Sequence, residues 1–332
     1  MNLKYAVIFE QAYGEAARRF HVPNRPETRY NTGSLGKMFT AVAIAQLVEA
    51  GKLNWNDPVA KYLPDFPRPL GDKITLHQLL THTAGLGDIF GDRFFATPRT
   101  KFAGNHDYYL FSLKEPPVGE PGGKFEYSNT GFITLGEVVE RVSGQAYSDY
   151  VKAHIFTPAG MNSTGDYRLD EEVENVAIGY TKMDENGPLE GPWRNNLAQQ
   201  LYRGMAAGGG YTTARDLFAF SRALKNGKLL KPATRDLLWA GKVDMQGPDS
   251  RYGYGFGDLK RGGQRMVGHT GGFPGVNTEL AIYLEQDVTV VVLSNLDPPA
   301  AALAGKFIRS LFIPAAATPA AVSAPAAPPV SH

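Results

Sequence analysis

Residues 34–51 read SLGKMFTAVAIAQLVEAG, and this stretch decides the fold. From Met38 to Val48 it carries no charge, which predicts a helix that is buried on nearly all sides. Gly51 is a typical helix end, so we place this helix from about Ser34 to Glu49. A helix of this kind lies in the core and positions whatever stands at its first turn.

Ser34 and Lys37 lie one turn apart on the same face of that helix. Because burial disfavours a charged ammonium, Lys37 can act as a neutral base beside the Ser34 hydroxyl, as in serine acyl transfer. Alone the pair is weak evidence, since about one chance Ser-x-x-Lys is expected in a chain this long. A Ser at a helix start is also most often only a cap. The rest of the chain has to decide between these readings.

The composition excludes several classes of function. The chain has 332 residues, is 43% hydrophobic and 20% charged, and has a formal net charge of +1, so nucleic acid is not an expected partner. No apolar run is long enough to span a membrane. There is no cysteine, which excludes disulfides and thiolate metal sites. The first residues lack the apolar region of a signal peptide, which predicts a cytoplasmic protein as written or a periplasmic one if the N-terminus is truncated.

The pattern of apolar, glycine and proline residues predicts further helices and strands. We expect helices over Thr130–Val142, closed by Gly144, over Asp216–Lys225, capped by Thr212 or Thr213, and over Ala300–Phe312. We expect strands over Tyr5–Phe9, Gln264–His269, Val276–Tyr283 and Asp287–Ser294, with Thr289–Leu293 buried on both faces.

These elements predict an α+β fold, in which a sheet lobe is built from both ends of the chain and a helical lobe is inserted between them. The sheet lobe comprises 1–57 and 210–313, the helical lobe comprises 58–209, and the Ala/Pro-rich 314–332 is expected to be a disordered tail. Together the two lobes are expected to form one domain.

Three motifs follow one another along the chain: Ser34-x-x-Lys37, Tyr127-Ser128-Asn129 and His269-Thr270-Gly271-Gly272. Their flanks read LLTHTAGL over 79–86, PGGKFEYSN over 121–129 and GGGYTTARD over 208–216. In this order, the motifs and flanks resemble the serine β-lactamase and penicillin-binding-protein superfamily. The chain is most similar to class C β-lactamases and their esterase and D-amino-acid peptidase relatives, from about Tyr5 to Phe312. This resemblance implies an antiparallel sheet flanked by helices beside an all-helical lobe, with the site in the cleft between them.

The resemblance implies catalytic roles for the first two motifs. Ser34 would be the nucleophile, placed at a helix N-terminus that favours developing negative charge. Either Lys37 or Tyr127 would be the general base. Next to a cationic Lys37, Tyr127 is expected to have a lowered pKa and to protonate the leaving group later.

The remaining site residues would bind the substrate. Asn129 would orient Lys37 and the substrate, and the backbone N–H groups of Ser34 and Gly272 would form an oxyanion hole. Substrate would also contact His269, Thr270 and Gly271. No cofactor is expected, and the seven histidines show no spacing suited to zinc, so no metal is expected either. We interpret His82, in Thr81-His82-Thr83, as a structural loop residue.

Two departures from the family pattern bear on function. His269 stands where the β-lactamases usually carry Lys, which provides a permanent cation for a substrate carboxylate. Relatives also carry a helix and a strand before the segment that matches Lys4–Gly14, and that missing sheet position predicts strand edges open to self-association.

The leading hypothesis is therefore a serine hydrolase that works through an acyl-Ser34 intermediate, and within it a carboxylesterase acting on small esters. A β-lactamase or D-amino-acid peptidase is the alternative within the same mechanism. A non-catalytic penicillin-recognising or peptidoglycan-binding homologue is the alternative outside it. The partner would be a small ester, amide or lactam, and the oligomeric state is not determined. Thr32 replaces the first Gly of a Gly-x-Ser-x-Gly elbow, which disfavours an α/β-hydrolase.

Overall fold

The computed structural model describes residues 5–184, 187–261 and 263–312, so the predicted tail over 314–332 lies outside the described residues. Its α-helices are α1 (Gly36–Glu49), α2 (Leu70–Lys73), α3 (Leu76–Leu80), α4 (Asp92–Phe95), α5 (Asn105–Ser112), α6 (Asn129–Ser143), α7 (Tyr147–Val151), α8 (Thr157–Ala159), α9 (Ala214–Lys225), α10 (Pro232–Trp239) and α11 (Ala300–Phe312). Its strands are β1 (Glu15–Ala17), β2 (Val22–Pro23), β3 (Tyr30–Asn31), β4 (Tyr180–Thr181), β5 (Met183–Asp184), β6 (Gly187–Pro188), β7 (Arg194–Asn195), β8 (Tyr211–Thr212), β9 (Val243–Asp244), β10 (Ser250–Tyr252), β11 (Gly257–Arg261), β12 (Gln264–Phe273), β13 (Val276–Tyr283) and β14 (Val288–Ser294).

Helix α1 runs through the centre of the molecule, as its uncharged sequence predicts. A single helical turn over Gly33–Leu35 leads into it, and every residue from Gly36 to Ala45 is buried. Two helices from the middle of the chain, α6 and α7, pack directly against α1. This places the first turn of α1, and with it Ser34, where the helical region meets the sheet.

The main sheet has six antiparallel strands in the order β14-β13-β12-β11-β10-β9. Because side chains alternate between the two faces of a strand, each face has its own core. One face packs against α1 and α9 through Val267, Leu280, Ile282, Val291 and Leu293. The other face packs against α11 through Met266, Ala281, Tyr283, Val290 and Val292, with Ile308. The predicted antiparallel sheet flanked by helices is confirmed, whereas the residue boundaries of the two lobes stay a prediction.

The predicted caps and helix ends are also found. Gly144 follows α6 with φ 71°, a left-handed conformation that Gly adopts without steric cost, and its N–H bonds to the carbonyl of Glu140. The Thr213 side chain accepts a hydrogen bond from the N–H of Asp216 at the start of α9. No helix among the described residues is both long and apolar enough to cross a membrane.

The strand predicted over Tyr5–Phe9 is wrong. These residues form no ladder, and the side chains of Val7 and Ile8 are largely exposed. Side-chain contacts hold the segment instead: the Tyr5 hydroxyl bonds to Asn226 beyond the end of α9, and Glu10 pairs with Arg215 in α9. An apolar run forms a strand only where its backbone N–H and C=O groups can hydrogen-bond to the edge of a neighbouring strand.

Strand β14 lies at one edge of the sheet, and its outer edge has no partner among the described residues. Helices α9 and α11 cover its two faces. The prediction that Thr289–Leu293 is buried on both faces is confirmed only at Val290, and the other residues of the run are half-buried. Helix α11 packs through Ala301, Gly305 and Ile308 and leaves Leu303, Phe307 and Leu311 exposed.

Candidate active site

The three sequence motifs meet at the first turn of α1. Lys37 Nζ lies 3.2 Å from Ser34 Oγ, 2.7 Å from Asn129 Oδ1 and 2.8 Å from the backbone carbonyl of Ala207. An ammonium has three N–H donors and no acceptor, so these three oxygens satisfy all of its donors. Once Lys37 is neutral, its lone pair can accept the Ser34 hydroxyl proton at the same place. The arrangement therefore suits both protonation states that a general base passes through.

The burial of Lys37 sets its protonation. The side chain is fully buried, and desolvation lowers the pKa of the ammonium from 10.5 to about 7, against the opposing charge of Asp88. A base with a pKa near the ambient pH is present in both forms at once, which is the condition for efficient proton transfer.

Tyr127 completes the contacts around Ser34. Its ring lies beneath Lys37, with Nζ 4.8 Å from the ring centroid, and its hydroxyl interacts electrostatically with Ser34. The Tyr127 side chain is 41% exposed, but desolvation of its hydroxyl raises its pKa above the ordinary value; the interaction with Ser34 opposes this rise, and the charge of Asp88 adds to it. The lowered pKa expected for Tyr127 is therefore wrong for the free protein, because desolvation of the hydroxyl outweighs its interaction with Ser34.

His82 supports Tyr127 from below. His82 is buried, and its backbone is in the left-handed conformation with φ 58°. Its ring stacks on the ring of Tyr127, with the centroids 4.3 Å apart. Its Nδ1 accepts a hydrogen bond from the N–H of Ser128, and burial keeps its pKa well below the usual value. A neutral ring held in this way fixes the Tyr127 loop, which agrees with the structural role expected for His82.

Asn129 is the first residue of α6, and an acidic residue that the sequence analysis did not single out holds it. Asp88 Oδ2 accepts hydrogen bonds from both the N–H and the side-chain Nδ2 of Asn129, at 2.8 and 2.9 Å. A carboxylate only accepts, so it draws the NH₂ group towards itself and turns Oδ1 towards Lys37. The position of Asp88 two residues beyond LLTHTAGL is the only sequence signal that pointed to it.

The third motif lies on β12, whose residues 269–273 extend beyond β11 and border the turn that carries Ser34. Gly271 makes this approach possible: a Cβ there would lie 2.5 Å from the carbonyl oxygen of Thr32 and 3.0 Å from Ser34 N. A Cβ on Gly33 would in turn lie 3.2 Å from Gly272 N. The backbones that carry the Ser34 and Gly272 N–H groups are thus in contact. Thr270 is exposed at the cleft.

His269 is uncharged in this setting. Its Nδ1 lies 2.6 Å from the carbonyl of Thr270 and must donate to it, so its Nε2 accepts from the Tyr252 hydroxyl at 2.9 Å. Burial and the charge of Lys37 lower its pKa to about 3. Both ring nitrogens therefore have hydrogen-bond partners. Tyr252 lies on a different strand, β10, and no motif in the sequence pointed to it.

A cavity of about 570 Å³ lies away from this cleft, where α5 and the C-terminal part of α6 meet. It contains His106, Glu137 and Glu140, a grouping of possible metal ligands within the described part of the chain. Arg141 and His106 already bind the Glu137 carboxylate, and Glu140 accepts the N–H of Tyr147. These protein partners account for the cluster without an ion.

The chain is similar in sequence and in fold to known proteins. Residues 4–311 match the sequence profile of the Beta-lactamase family. The putative penicillin-binding protein PbpX of Bacillus subtilis is 36% identical over 250 residues, which are 75% of this chain and 59% of that protein. The crystal structure of a penicillin binding protein from Bacillus halodurans is 35% identical, covers 90% of both chains and superposes with a TM-score of 0.82.

A second solved structure is a D-stereospecific amidohydrolase from Streptomyces sp. It is 28% identical, covers 86% of this chain and 87% of its own, and has a TM-score of 0.74. The chain spans about three fifths of the length of the curated relatives it matches.

Proposed function

The chain belongs to the beta-lactamase family of serine acyl-transfer enzymes, and on that premise we propose that it is a serine hydrolase that forms an acyl-Ser34 intermediate. The observation that carries the proposal is the buried Lys37, held 3.2 Å from the Ser34 hydroxyl by acceptors that suit both of its protonation states. A structural lysine in the core would be paired with a carboxylate, whereas this one is aimed at a hydroxyl.

In the proposed reaction, Ser34 Oγ attacks the substrate carbonyl carbon, and its proton moves to neutral Lys37. The N–H groups of Ser34 and Gly272 would stabilise the tetrahedral oxyanion. The proton then returns from Lys37 to the leaving group through the Tyr127 hydroxyl, and the bond to the leaving group breaks. Water repeats the sequence on the acyl-enzyme, so one substrate and one water give an acid and an alcohol or amine. The raised pKa of Tyr127 favours Lys37 as the initial base.

We propose small carboxylic esters as the substrates. Support comes from His269, which is neutral and has no free N–H, so this position offers no cation to a substrate carboxylate. Phe90 and Phe273, with ring centroids 6.2 Å apart, follow Asp88 and Gly272 closely along the chain, and we propose that they supply apolar surface for an acyl group. Substrates that are uncharged near His269 therefore fit better than β-lactams or peptides that carry a carboxylate there.

A second candidate is the hydrolysis of D-amino-acid amides. It rests on the similarity to the D-stereospecific amidohydrolase from Streptomyces sp. and on the same neutral His269. An amide of an amino acid also lacks a carboxylate, so the cleft as described admits it on the same grounds.

The decisive experiment is covalent labelling with a fluorophosphonate, followed by mass spectrometry of the labelled peptide. We expect one label on Ser34 and none in Ser34→Ala, with an unchanged unfolding midpoint in the variant. An unlabelled wild-type protein would instead indicate a non-catalytic binding homologue.

A panel of short p-nitrophenyl esters, D-amino-acid amides and nitrocefin then ranks the substrates. A kcat/KM for nitrocefin above that for every ester would overturn the ester proposal.

A further inference from the structure

Asp88 lies in a loop between α3 and α4, outside the three catalytic motifs. Its two carboxylate oxygens accept three N–H donors: Phe90 N–H on Oδ1 at 2.9 Å, and the backbone and side-chain nitrogens of Asn129 on Oδ2. Three donors on one carboxylate hold it in a single orientation. Asp88 therefore places a carboxylate at a fixed position, one side chain away from Lys37.

Two consequences for Lys37 follow from this geometry. First, the Asn129 amide cannot turn over, because an NH₂ group facing Lys37 would leave an amide oxygen against the Asp88 carboxylate. The acceptor towards Lys37 Nζ is thus fixed at 2.7 Å. Second, the charge of Asp88 favours the ammonium form and so opposes the desolvation of Lys37. Both effects stabilise the product of proton transfer from Ser34.

We propose that Asp88 is a positioning residue for the reaction at Ser34, acting through Asn129 to keep Lys37 a strong enough base to take the serine proton. This rests on the proposed acyl-serine chemistry and assigns a role that the three motifs do not contain. The competing explanation is purely structural, since a carboxylate at the N-terminus of α6 also stabilises that helix. A test must therefore read the ionisation of Lys37 as well as stability.

The other titratable side chains that face Lys37 do not supply this charge. His82, on the loop after α3, and His269, on β12, are both held neutral by burial. Tyr127, on the loop before α6, and Tyr252, on β10, both have pKa values raised by burial and stay protonated. Among the described residues that act on Lys37, Asp88 is the negative one.

The experiment measures the rate of fluorophosphonate labelling of Ser34 between pH 5 and 9. In Asp88→Asn we expect the midpoint to fall by on the order of one pH unit, as expected for one charge acting across a side chain at an effective dielectric constant of about 20. The plateau rate should fall by roughly tenfold or more, since a weaker base transfers the proton less readily. Asp88→Glu keeps the charge and should keep the midpoint near that of the wild type.

The matched control is Asp92→Asn, which removes an exposed carboxylate four residues away and should leave the profile unchanged. An Asp88→Asn protein that is less stable but has the wild-type midpoint of labelling would show a helix cap only and would overturn the proposal.

The midpoint of Lys37 ionisation can also be read from the pH dependence of unfolding, which needs no catalysis. If the wild type does not label, the proposed function fails, and the unfolding curves alone decide the role of Asp88.

Discussion

Replacing Lys37 by Met should remove a pH dependence from the stability of the protein. The folded state holds Lys37 with a pKa of about 7, whereas the unfolded chain has the ordinary value of 10.5. Between pH 7 and 9 the unfolded wild type therefore binds more protons than the folded one. Stability rises with pH wherever the unfolded state binds more protons, so the wild type gains stability over this window.

Integrating the difference in bound protons between the unfolded and the folded protein from pH 7 to 9 gives about 1.7 pH units, or roughly 2 kcal/mol at 1.36 kcal/mol per unit. Lys37→Met lacks this titrating group. From pH 7 to 9 its free energy of unfolding should therefore rise by roughly 2 kcal/mol less than that of the wild type. Urea unfolding of both proteins at pH 6, 7, 8 and 9 measures the difference. Comparing slopes rather than absolute stabilities removes the effect of the lost hydrogen bonds to Asn129 and Ala207.

The matched control is Lys52→Met, which removes an exposed lysine just beyond the end of α1. Its curve should run parallel to that of the wild type. If the curves of wild type and Lys37→Met are parallel between pH 7 and 9, Lys37 keeps its proton in the folded protein. The base assignment would then be refuted along with the depressed pKa.

Three further predictions test the site. Tyr127→Phe should lower the kcat for esters on the order of a hundredfold, and adding Lys37→Ala should cost little more, because residues that act as a unit are not additive; fully multiplicative losses would show two independent roles. His269→Lys should raise the ratio of nitrocefin to ester kcat/KM by restoring a cation, and an unchanged ratio would contradict the role given to His269. Gly271→Ala should lower the free energy of unfolding by about 1–3 kcal/mol, since its Cβ would lie 2.5 Å from the Thr32 carbonyl oxygen. Gly91→Ala is the control, because a Cβ there meets no atom within 4 Å. Equal denaturant midpoints for the two variants would contradict the close approach at Gly271.

The sequence predicted those parts of the fold that depend on local interactions. The αL glycine at Gly144 and the Thr213 cap depend on contacts within a few residues, and both are found as predicted. The uncharged run over Met38–Val48 predicts burial from its own composition, and that burial is also found. The segment Tyr5–Phe9 has the same apolar character but no strand, because a strand depends on a partner edge that its own residues do not specify.

For the candidate site, the sequence by itself determined which groups are present: a Ser and a Lys one turn apart, then Tyr127, and a histidine in place of a permanent cation. Only the tertiary structure decided their electrostatic state. Asp88 turns Asn129 towards Lys37, and the Tyr252 hydroxyl occupies His269. Desolvation lowers the pKa of Lys37 and raises that of Tyr127. Ionisation depends on burial and on neighbours that are distant along the chain, and residue spacing within a motif carries no record of either.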